Sequence, residues 1–316
     1  MEHRILIYGG LGNVSKERLI PALDSLRTNV SIEYATVDLV DTKHGKHYLY
    51  GLEPTQEYNS AIIATPNNTH SLIAISALNS GLNILCEKPL SHTLDSAKQM
   101  LLTAQSHPTL TSMLCDHYIY KPSIRYIIQN WERCNKELGS IISIKARIFE
   151  RELQKGREWL FFSEIAGGGI AMDTGFHIVS IMGKLFGHDN LRVIESRMKR
   201  YPQAPGDAET CASITMYAGQ VPIYIEVGKW MGKIDKQIIF KGNKATLTVN
   251  IENGQINLND RIDQPVTKDD CYRTVLEEFL SSIEGHHVPR TTLEEGYKTL
   301  RIIKTAYQIA GLDGRV

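Results

Sequence analysis

The first third of the chain alternates short apolar runs with helix-length amphipathic stretches, and this alternation constrains the fold more than any other feature. The apolar runs predict strands at 4–8, 32–37, 61–64, 83–86 and 110–114. The amphipathic stretches predict helices at 15–26, 71–80 and 93–106. Strands separated by helices indicate βαβ units and a parallel sheet. We therefore expect an α/β chain that begins with a doubly wound, Rossmann-type nucleotide-binding domain.

After about Lys121 the pattern changes to consecutive strand-like segments. A helix at 123–130 and a strand at 141–149 precede a glycine-rich turn, Gly167 to Gly169, and another helix. Further strands are predicted at 193–198, 212–217, 221–227, 236–240 and 245–250, followed by helices at 270–283 and 293–310. Consecutive strands with few helices between them are typical of antiparallel sheets. The prediction is a Rossmann domain over 1–121 and an α+β domain with a large, mostly antiparallel sheet over 122–316.

Composition restricts the class of partner. Lys+Arg 35 against Asp+Glu 35 leaves a formal charge of +0, without the basic excess typical of proteins that bind nucleic acid or anionic membranes. The five cysteines are widely spaced and lack zinc-ligand spacing, which favours reduced thiols. No apolar run approaches the roughly 20 residues that span a bilayer, and the first residues lack a secretory signal pattern. We expect a cytoplasmic protein that binds neither nucleic acid nor membrane.

The first predicted strand is followed by a glycine-rich turn that opens into a helix. Its residues are Gly9-Gly10-Leu11-Gly12-Asn13-Val14-Ser15. Glycine lets the backbone approach a pyrophosphate, and the helix N-terminus offers N–H groups to the anion. The candidate cofactor contacts here are Gly9, Leu11, Gly12, Asn13 and Val14. An ordinary strand-to-helix turn is the alternative, because Ser15 replaces the third glycine of the usual fingerprint.

The second predicted strand is followed by Asp38, where an acid is expected to bind the ribose hydroxyls of a dinucleotide. A carboxylate at this point repels a 2′-phosphate, so the residue favours NAD over NADP. A turn aspartate at a strand end is the alternative interpretation. Lys43 and Lys46 nearby can still accommodate a phosphate.

Three further blocks resemble the glucose–fructose oxidoreductase and inositol dehydrogenase (Gfo/Idh/MocA) family. They are Ala64-Thr65-Pro66-Asn67-Asn68-Thr69-His70, Glu87-Lys88-Pro89 and Gly167-Gly168-Gly169-Ile170-Ala171-Met172-Asp173-Thr174-Gly175-Phe176-His177. The resemblance covers nearly the whole chain. It implies further cofactor contacts at Thr65, Pro66, Asn67, His70, Glu87 and Lys88. It also implies a C-terminal helix, about 291–311, packed back on the first domain, and a homodimer or homotetramer.

Lys88, Asp173 and His177 are the candidate catalytic residues. Lys88 follows a parallel strand, where ligands of doubly wound sheets bind, and can polarise an oxygen or transfer its proton. Asp173 and His177 are four residues apart at a predicted helix start, so they share one face. Taken singly, each has a structural alternative: a surface lysine, an acid favoured by the helix dipole and a buried histidine. Ser180 stands where the family often has an acid, and we predict no metal.

The run Asp116-His117-Tyr118-Ile119-Tyr120-Lys121 is similar to the substrate motif of glucose-6-phosphate dehydrogenases. This resemblance, shared by the stretch 9–23, implies that His117, Tyr118 and Lys121 bind a phosphate or hydroxyls, with Asp116 near His177. The alternative is that the tyrosines simply pack as the chain leaves the first domain. Further cations keep a phosphosugar among the candidates, although a solvated face explains most of them: Arg147, Arg151, Lys155 and Arg157.

The predicted function is that of an NAD-dependent oxidoreductase. It interconverts a secondary alcohol and a ketone on a sugar, an amino sugar, a sugar phosphate such as glucose 6-phosphate, or a cyclitol. One alternative is a glycosidase that oxidises and re-reduces its sugar without net NADH. Another is a non-catalytic regulator that senses NAD and sugar, against which the presence of Lys88, Asp173 and His177 argues.

Overall fold

A computed structural model describes residues 2–37, 39–42, 45–48, 57–151, 156–259, 261–264 and 270–312. The chain divides into two compact units. The first comprises Met1–Asp116 with Tyr272–Tyr297, and the second comprises His117–Cys271 with Lys298–Val316. The domain limits predicted from the sequence, 1–121 and 122–316, stay a prediction.

The described residues form fifteen strands and nine α-helices. The strands are β1 (His3–Tyr8), β2 (Ile32–Val37), β3 (Leu39–Thr42), β4 (Gly45–Tyr48), β5 (Ser60–Ile63), β6 (Asn83–Glu87), β7 (Ser112–Cys115), β8 (Ile141–Phe149), β9 (Leu191–Lys199), β10 (Cys211–Ala218), β11 (Val221–Gly228), β12 (Asp235–Gly242), β13 (Thr246–Asn250), β14 (Ile256–Leu258) and β15 (Arg261–Gln264). The helices are α1 (Ile20–Leu26), α2 (Asn67–Asn79), α3 (Leu94–Ser106), α4 (Pro122–Gln129), α5 (Trp131–Leu138), α6 (Ser163–Ala166), α7 (Phe176–Phe186), α8 (Cys271–Ile283) and α9 (Leu293–Ile309). Short π-helical turns, Ser15–Leu19 and Ala171–Gly175, precede α1 and α7.

The first unit is built on a five-stranded sheet of order β2-β1-β5-β6-β7, in which all neighbours are parallel. Its central strands are continuous apolar runs, and Ile5, Leu6 and Ile7 of β1 are fully buried. This is expected for a parallel sheet covered on both faces. The order reverses at β1, since the chain runs first to β2 on one side and later to β5 on the other. The predicted doubly wound sheet is confirmed, and its switch point lies beyond the carboxyl ends of β1 and β5.

The second unit is built on an eight-stranded sheet of order β15-β14-β13-β12-β8-β11-β10-β9. Only β8 and β11 run parallel to each other; the other neighbouring pairs are antiparallel. A parallel pair needs a crossover connection, and here the crossover contains α6, α7 and the β9–β10 pair. Ala212, Ile214 and Met216 of β10 alternate with more exposed residues, so one face of the sheet packs against the core. The predicted large, mostly antiparallel sheet is confirmed.

The stretch Ser163–Phe186 is long and apolar enough, by length and composition alone, to cross a membrane. The prediction that no apolar run approaches that length is therefore wrong for these 24 residues. In the structure, 89% of the apolar window is buried within the protein, as in a core helix of a globular chain. Gly167 and Gly168, with φ of 76° and 147°, also interrupt the stretch. It is weak support for a membrane span.

Candidate functional site

The turn after β1 has a backbone geometry that only glycine accommodates at its first position. Gly9 has a φ of 81°, and a Cβ there would lie 2.5 Å from the carbonyl oxygen of Ala64. The Gly9 N–H donates to the Val37 oxygen at 2.8 Å, and the Gly12 N–H donates to the Gly9 oxygen at 3.0 Å. The absence of a Cβ thus keeps the turn tight against the end of β5, the strand on the other side of the switch point.

The turn leads into the π-helical turn Ser15–Leu19, whereas the sequence predicted one regular helix over 15–26. Ser15 is fully buried, and its Oγ has no hydrogen-bond partner among the residues that the structure describes. Buried polar atoms normally have a partner, and an anion at a helix start can supply one. Leu11, in contrast, is 59% exposed. The buried hydroxyl and the tight turn fit the phosphates of a dinucleotide.

The loop after β5 carries Thr65 and Pro66, and α2 follows with Asn67 as its first residue and His70 in its first turn. The His70 ring is buried, with Nδ1 2.8 Å from the Pro89 oxygen and Nε2 2.8 Å from the Thr65 oxygen. Burial lowers the pKa of His70, although the two carbonyl groups act in the opposite direction. The ring therefore ties the loop after β5 to the loop after β6. Contact of these residues with a cofactor stays a prediction.

The end of β6 holds Lys88 through the residue before it. Glu87 is buried, and its Oε2 accepts the backbone N–H of Lys88 at 3.2 Å. Its Oε1 accepts the S–H of Cys115, on the neighbouring strand β7, at 3.2 Å. The peptide between Lys88 and Pro89 is cis. Glu87 thus fixes the backbone from which the half-buried Lys88 side chain extends. Asp116, the last residue of this part of the first unit, is fully buried.

In the second unit, His177 of α7 lies in a cluster of rings. The Tyr118 ring stacks on it with centroids 4.0 Å apart and planes 11° apart. The His117 ring meets it edge-on, with centroids 4.9 Å apart. Lys121 Nζ lies 5.0 Å from the centroid of the Tyr118 ring, within cation–π range. His177 is only 4% exposed, so the stacking restricts an imidazole that is already enclosed.

Asp173 lies in the π-helical turn Ala171–Gly175, immediately before α7. Its side chain is largely buried, and Oδ1 lies 3.5 Å from the guanidinium of Arg157. The predicted common helical face of Asp173 and His177 therefore spans the junction of a π-turn with an α-helix. The pair with Arg157 gives the carboxylate a charged neighbour on the preceding loop.

A second charged group stands beside Asp173. Burial raises the pKa of Glu150, but the attraction of Lys229 and Lys236 outweighs it, and the pKa lies below its ordinary value. The negative charge of Asp173 raises the pKa of Glu150, as burial does. Glu150 forms an ion pair with the buried Lys229, and its Oε1 lies 3.4 Å from Lys236 Nζ. Glu150 thus has two cationic neighbours and one anionic neighbour, Asp173.

Several predicted residues have other surroundings or lie outside the described residues. Arg147 is held on the sheet by Glu226 at 2.6 Å and Asp235 at 3.0 Å, which raise its pKa. Residues outside the described part of the chain include Asp38, Lys43 and Lys155, and the side chain of Lys46 is likewise not described. Within the described ranges, no three His, Cys, Asp or Glu residues are grouped so as to hold a metal.

Two family models match successive parts of the chain. The model described as "Oxidoreductase family, NAD-binding Rossmann fold" matches residues 21–114, and "Oxidoreductase family, C-terminal alpha/beta domain" matches residues 134–311. The chain belongs to the Gfo/Idh/MocA oxidoreductase family. The resemblance found in its motifs is therefore confirmed, and the NAD-binding Rossmann fold is a property of the family model that its first unit matches.

Among Gfo/Idh/MocA relatives, a levoglucosan dehydrogenase from Pseudarthrobacter phenanthrenivorans is 27% identical over 48% of this chain and 40% of that enzyme. A D-glucoside 3-dehydrogenase from Escherichia coli is 22% identical over 80% of this chain and 78% of that enzyme. A D-xylose 1-dehydrogenase (NADP(+)) from Haloferax volcanii is 22% identical over 96% of this chain and 97% of that enzyme. A solved levoglucosan dehydrogenase complex with NADH and levoglucosan superposes with a TM-score of 0.80, at 16% identity, over 99% of this chain and 98% of that chain. At 16% identity the superposition shows that the two chains share a fold.

The family's glycine motif depends here on two residues that the sequence analysis missed, Glu209 and Tyr307. Glu209 Oε2 accepts the Gly169 N–H at 2.9 Å, and Oε1 accepts the Ala171 N–H at 2.9 Å. The Tyr307 O–H donates to the same Oε1 at 2.7 Å. Neither residue lies in a motif, and 98 positions separate them, so no local pattern could have indicated the pair.

Proposed function

We propose that the protein is an NAD-dependent oxidoreductase that interconverts a secondary alcohol and a ketone on a sugar-like substrate. The substrate class comprises sugars, amino sugars, sugar phosphates and cyclitols. The observation that carries the proposal is the enclosed His177 imidazole, stacked on Tyr118 and close in sequence to Asp173, in a chain with a family NAD-binding fold. The names of the relatives support a sugar.

The proposed cofactor site belongs to the first unit. Its residues are Gly9, Leu11, Gly12, Asn13 and Val14 for the pyrophosphate, Asp38 for the ribose, and Thr65, Pro66, Asn67, His70, Glu87 and Lys88 beyond the neighbouring strands. The close approach at Gly9 and the buried Ser15 hydroxyl fit this group. When bound, NAD supplies a nicotinamide ring that exchanges a hydride with the carbinol carbon. Asp38 favours NAD over NADP by charge repulsion.

Lys88 and His177 are proposed to hold and move the proton of the substrate hydroxyl. An imidazole is suited to this near neutral pH, and a lysine ammonium can polarise the carbonyl oxygen. Asp173 orients a sugar hydroxyl and, with Asp116, the imidazole. These roles rest on the motifs in which the residues lie and on the enclosure of His177, which keeps water from competing for the proton.

His117, Tyr118 and Lys121 are proposed to bind the polar end of the substrate. The Lys121 ammonium next to the Tyr118 ring places a positive charge in the same cluster as His177. A phosphate or several hydroxyls both suit this arrangement. Arg157, beside Asp173, adds a second cation in the second unit.

We also propose a cytoplasmic homodimer or homotetramer, formed through the exposed face of the eight-stranded sheet. Tyr224 on this face is 42% exposed, and Arg147, paired with Glu226 and Asp235, lies there as well. Light scattering on the purified protein gives the count of subunits directly. A monomeric mass at working concentration argues against the assembly.

The deciding experiment measures NADH formation when protein and NAD are offered glucose 6-phosphate, glucose, myo-inositol, glucosamine and UDP-sugars, with NADP in parallel. Net NADH with any of them supports a dehydrogenase. A signal restricted to phosphorylated sugars supports a phosphate site at His117, Tyr118 and Lys121, and a signal with free sugars argues against one. Bound NAD without net NADH points to the redox-retaining glycosidase or the regulator.

A further inference from the structure

The helical segment that carries Asp173 and His177 begins with three consecutive N–H groups that all bind one residue. The N–H groups of Gly169 and Ala171 donate to the Glu209 carboxylate at 2.9 Å each. The N–H of Ile170, between them, donates to the backbone oxygen of Glu209 at 3.1 Å. The first N–H groups of a helix have no partner within the helix. Glu209 satisfies them from a distant part of the chain, and its negative charge suits the positive end of the helix dipole.

The C-terminal helix α9 closes the same turn from another side. Tyr307 donates to Glu209 and also accepts the Gly169 N–H at 2.9 Å, while Lys304 Nζ donates to the Gly167 oxygen at 3.0 Å. Glu209, Tyr307 and Lys304 are all buried. Burial raises the pKa of Glu209, which the hydrogen bonds from Tyr307 and the two N–H groups oppose. The turn is therefore clamped by side chains that have little contact with solvent.

The glycines of the motif make room for this clamp. A Cβ on Gly168 would lie 2.2 Å from the Tyr307 hydroxyl oxygen, and a Cβ on Gly169 would lie 2.0 Å from the Glu209 backbone oxygen. Real side chains do not tolerate such distances. The need for glycine at these two positions follows from the approach of Glu209 and Tyr307.

One residue, Gly169, links the clamp to the candidate site. Gly169 donates its N–H to Glu209, and its carbonyl oxygen accepts the N–H of Asp173 at 2.9 Å. A displacement of Gly169 therefore moves Asp173 and the start of α7. Displacements of about 1 Å in a reacting group can cost on the order of 100-fold in rate.

We propose that Glu209 and Tyr307 are positioning residues that set the placement of Asp173 and His177. The effect of this positioning on catalysis rests on the proposed function, whereas its effect on the structure around His177 does not. Neither residue acts on the substrate itself. They act through the turn and the helix start that they hold.

The test compares Y307F and E209Q with Y34F, a matched control. Tyr34 also donates its O–H to a carboxylate, Asp24 Oδ1 at 3.0 Å, but at an exposed site in the first unit. Each variant is assayed for kcat, for the dissociation constant of NAD and for thermal stability. Independently of turnover, the imidazole signals and titration of ¹⁵N-labelled histidines are recorded, with H177Q identifying His177 among the eleven histidines.

We expect kcat of Y307F to fall about 10-fold and that of E209Q further, with NAD binding unchanged and the His177 signal displaced. Y34F should match the wild type in all four. Lower thermal stability with wild-type kcat and an unmoved His177 signal would overturn the proposal. If E209Q does not fold, Y307F alone decides, since it removes one hydroxyl. If the wild type turns over no sugar, the proposed function fails, and the His177 signal still decides the positioning role.

Discussion

Two glycine-rich turns in this protein lead into helices through a π-helical turn, and they are closed in different ways. In the first unit, Gly9 and Gly12 bond to main-chain carbonyl oxygens before Ser15–Leu19. In the second unit, the N–H groups before and within Ala171–Gly175 bond to the side chain of Glu209. Glycine allows close approach of the Ala64 backbone at the first turn and of the Glu209 backbone at the second. The first turn is proposed to take an external anion, whereas the second holds a carboxylate of the chain itself. The same sequence signal thus serves two physical purposes.

The largest effect is expected for K88M, which separates the chemistry from the cofactor site. Removing the ammonium should lower kcat about 10²–10⁴-fold, the range for loss of a positioned proton-transfer group. NAD affinity, measured by quenching of protein fluorescence, should change little. K98M, which replaces an exposed lysine of the same unit, serves as control. Lost NAD binding with an intact fold would show that Lys88 serves mainly to bind the cofactor, and would contradict its proposed role in proton transfer.

Alanine substitutions in the two turns sharpen the comparison. G9A should weaken NAD binding, because the Cβ would meet Ala64 at the switch point. G169A should leave NAD binding intact but lower the free energy of unfolding by about 1–3 kcal/mol and impair turnover. In G219A, a positive-φ glycine with nothing within 4 Å, only backbone strain is added. Equal loss of NAD affinity in G9A and G169A would remove the distinction between the turns.

Two substitutions at Tyr118 distinguish support of His177 by the stacked ring from support by the hydroxyl group. Y118L removes the ring and should lower kcat by roughly 2- to 12-fold, since aromatic pairs contribute about 0.5–1.5 kcal/mol. Y118F keeps the ring and should retain kcat. If Y118F instead lowers kcat as much as Y118L does, the hydroxyl and not the stacked ring supports His177.

The smallest effect concerns acid stability at the Glu150 cluster. The pKa of Glu150 in the folded protein lies below its ordinary value of 4.5, so the carboxylate stabilises the fold above pH 4.5. That contribution is lost as the pH falls through the lowered pKa. Thermal melts of E150Q between pH 6 and pH 3 should therefore depend less on pH than those of the wild type. If the melting temperatures of E150Q and the wild type fall equally between pH 6 and pH 3, the ionisation of Glu150 does not contribute to acid stability.

The regular parts of the fold could be predicted because their patterns are local. The strand predicted at 141–149 coincides with β8, whose burial alternates along the strand. Helix starts were harder to predict. Helix α2 begins at Asn67, four residues before the predicted start at 71, because asparagine suits turns as well as helix starts. The π-helical turns have no simple period, and neither was expected.

The candidate site was predictable only where residues share a motif. Asp173 and His177 were predicted as site residues in this way, as were His117, Tyr118 and Lys121, and their roles stay a prediction. The stacking of Tyr118 on His177 joins segments 59 positions apart, and its geometry depends on tertiary packing. The role of Glu209 follows only from the backbone N–H groups that it binds in the structure, and no sequence pattern around position 209 predicts those contacts.

Glu209 is in effect a ligand that the chain carries with it. Because it is covalently tethered, its effective concentration at the second turn is fixed and independent of the solution. The cofactor proposed for the first turn would bind by mass action, and it would stabilise the first unit in proportion to the logarithm of its concentration. The two helix starts would therefore respond differently to a change in cellular cofactor level, with only the first one sensing it.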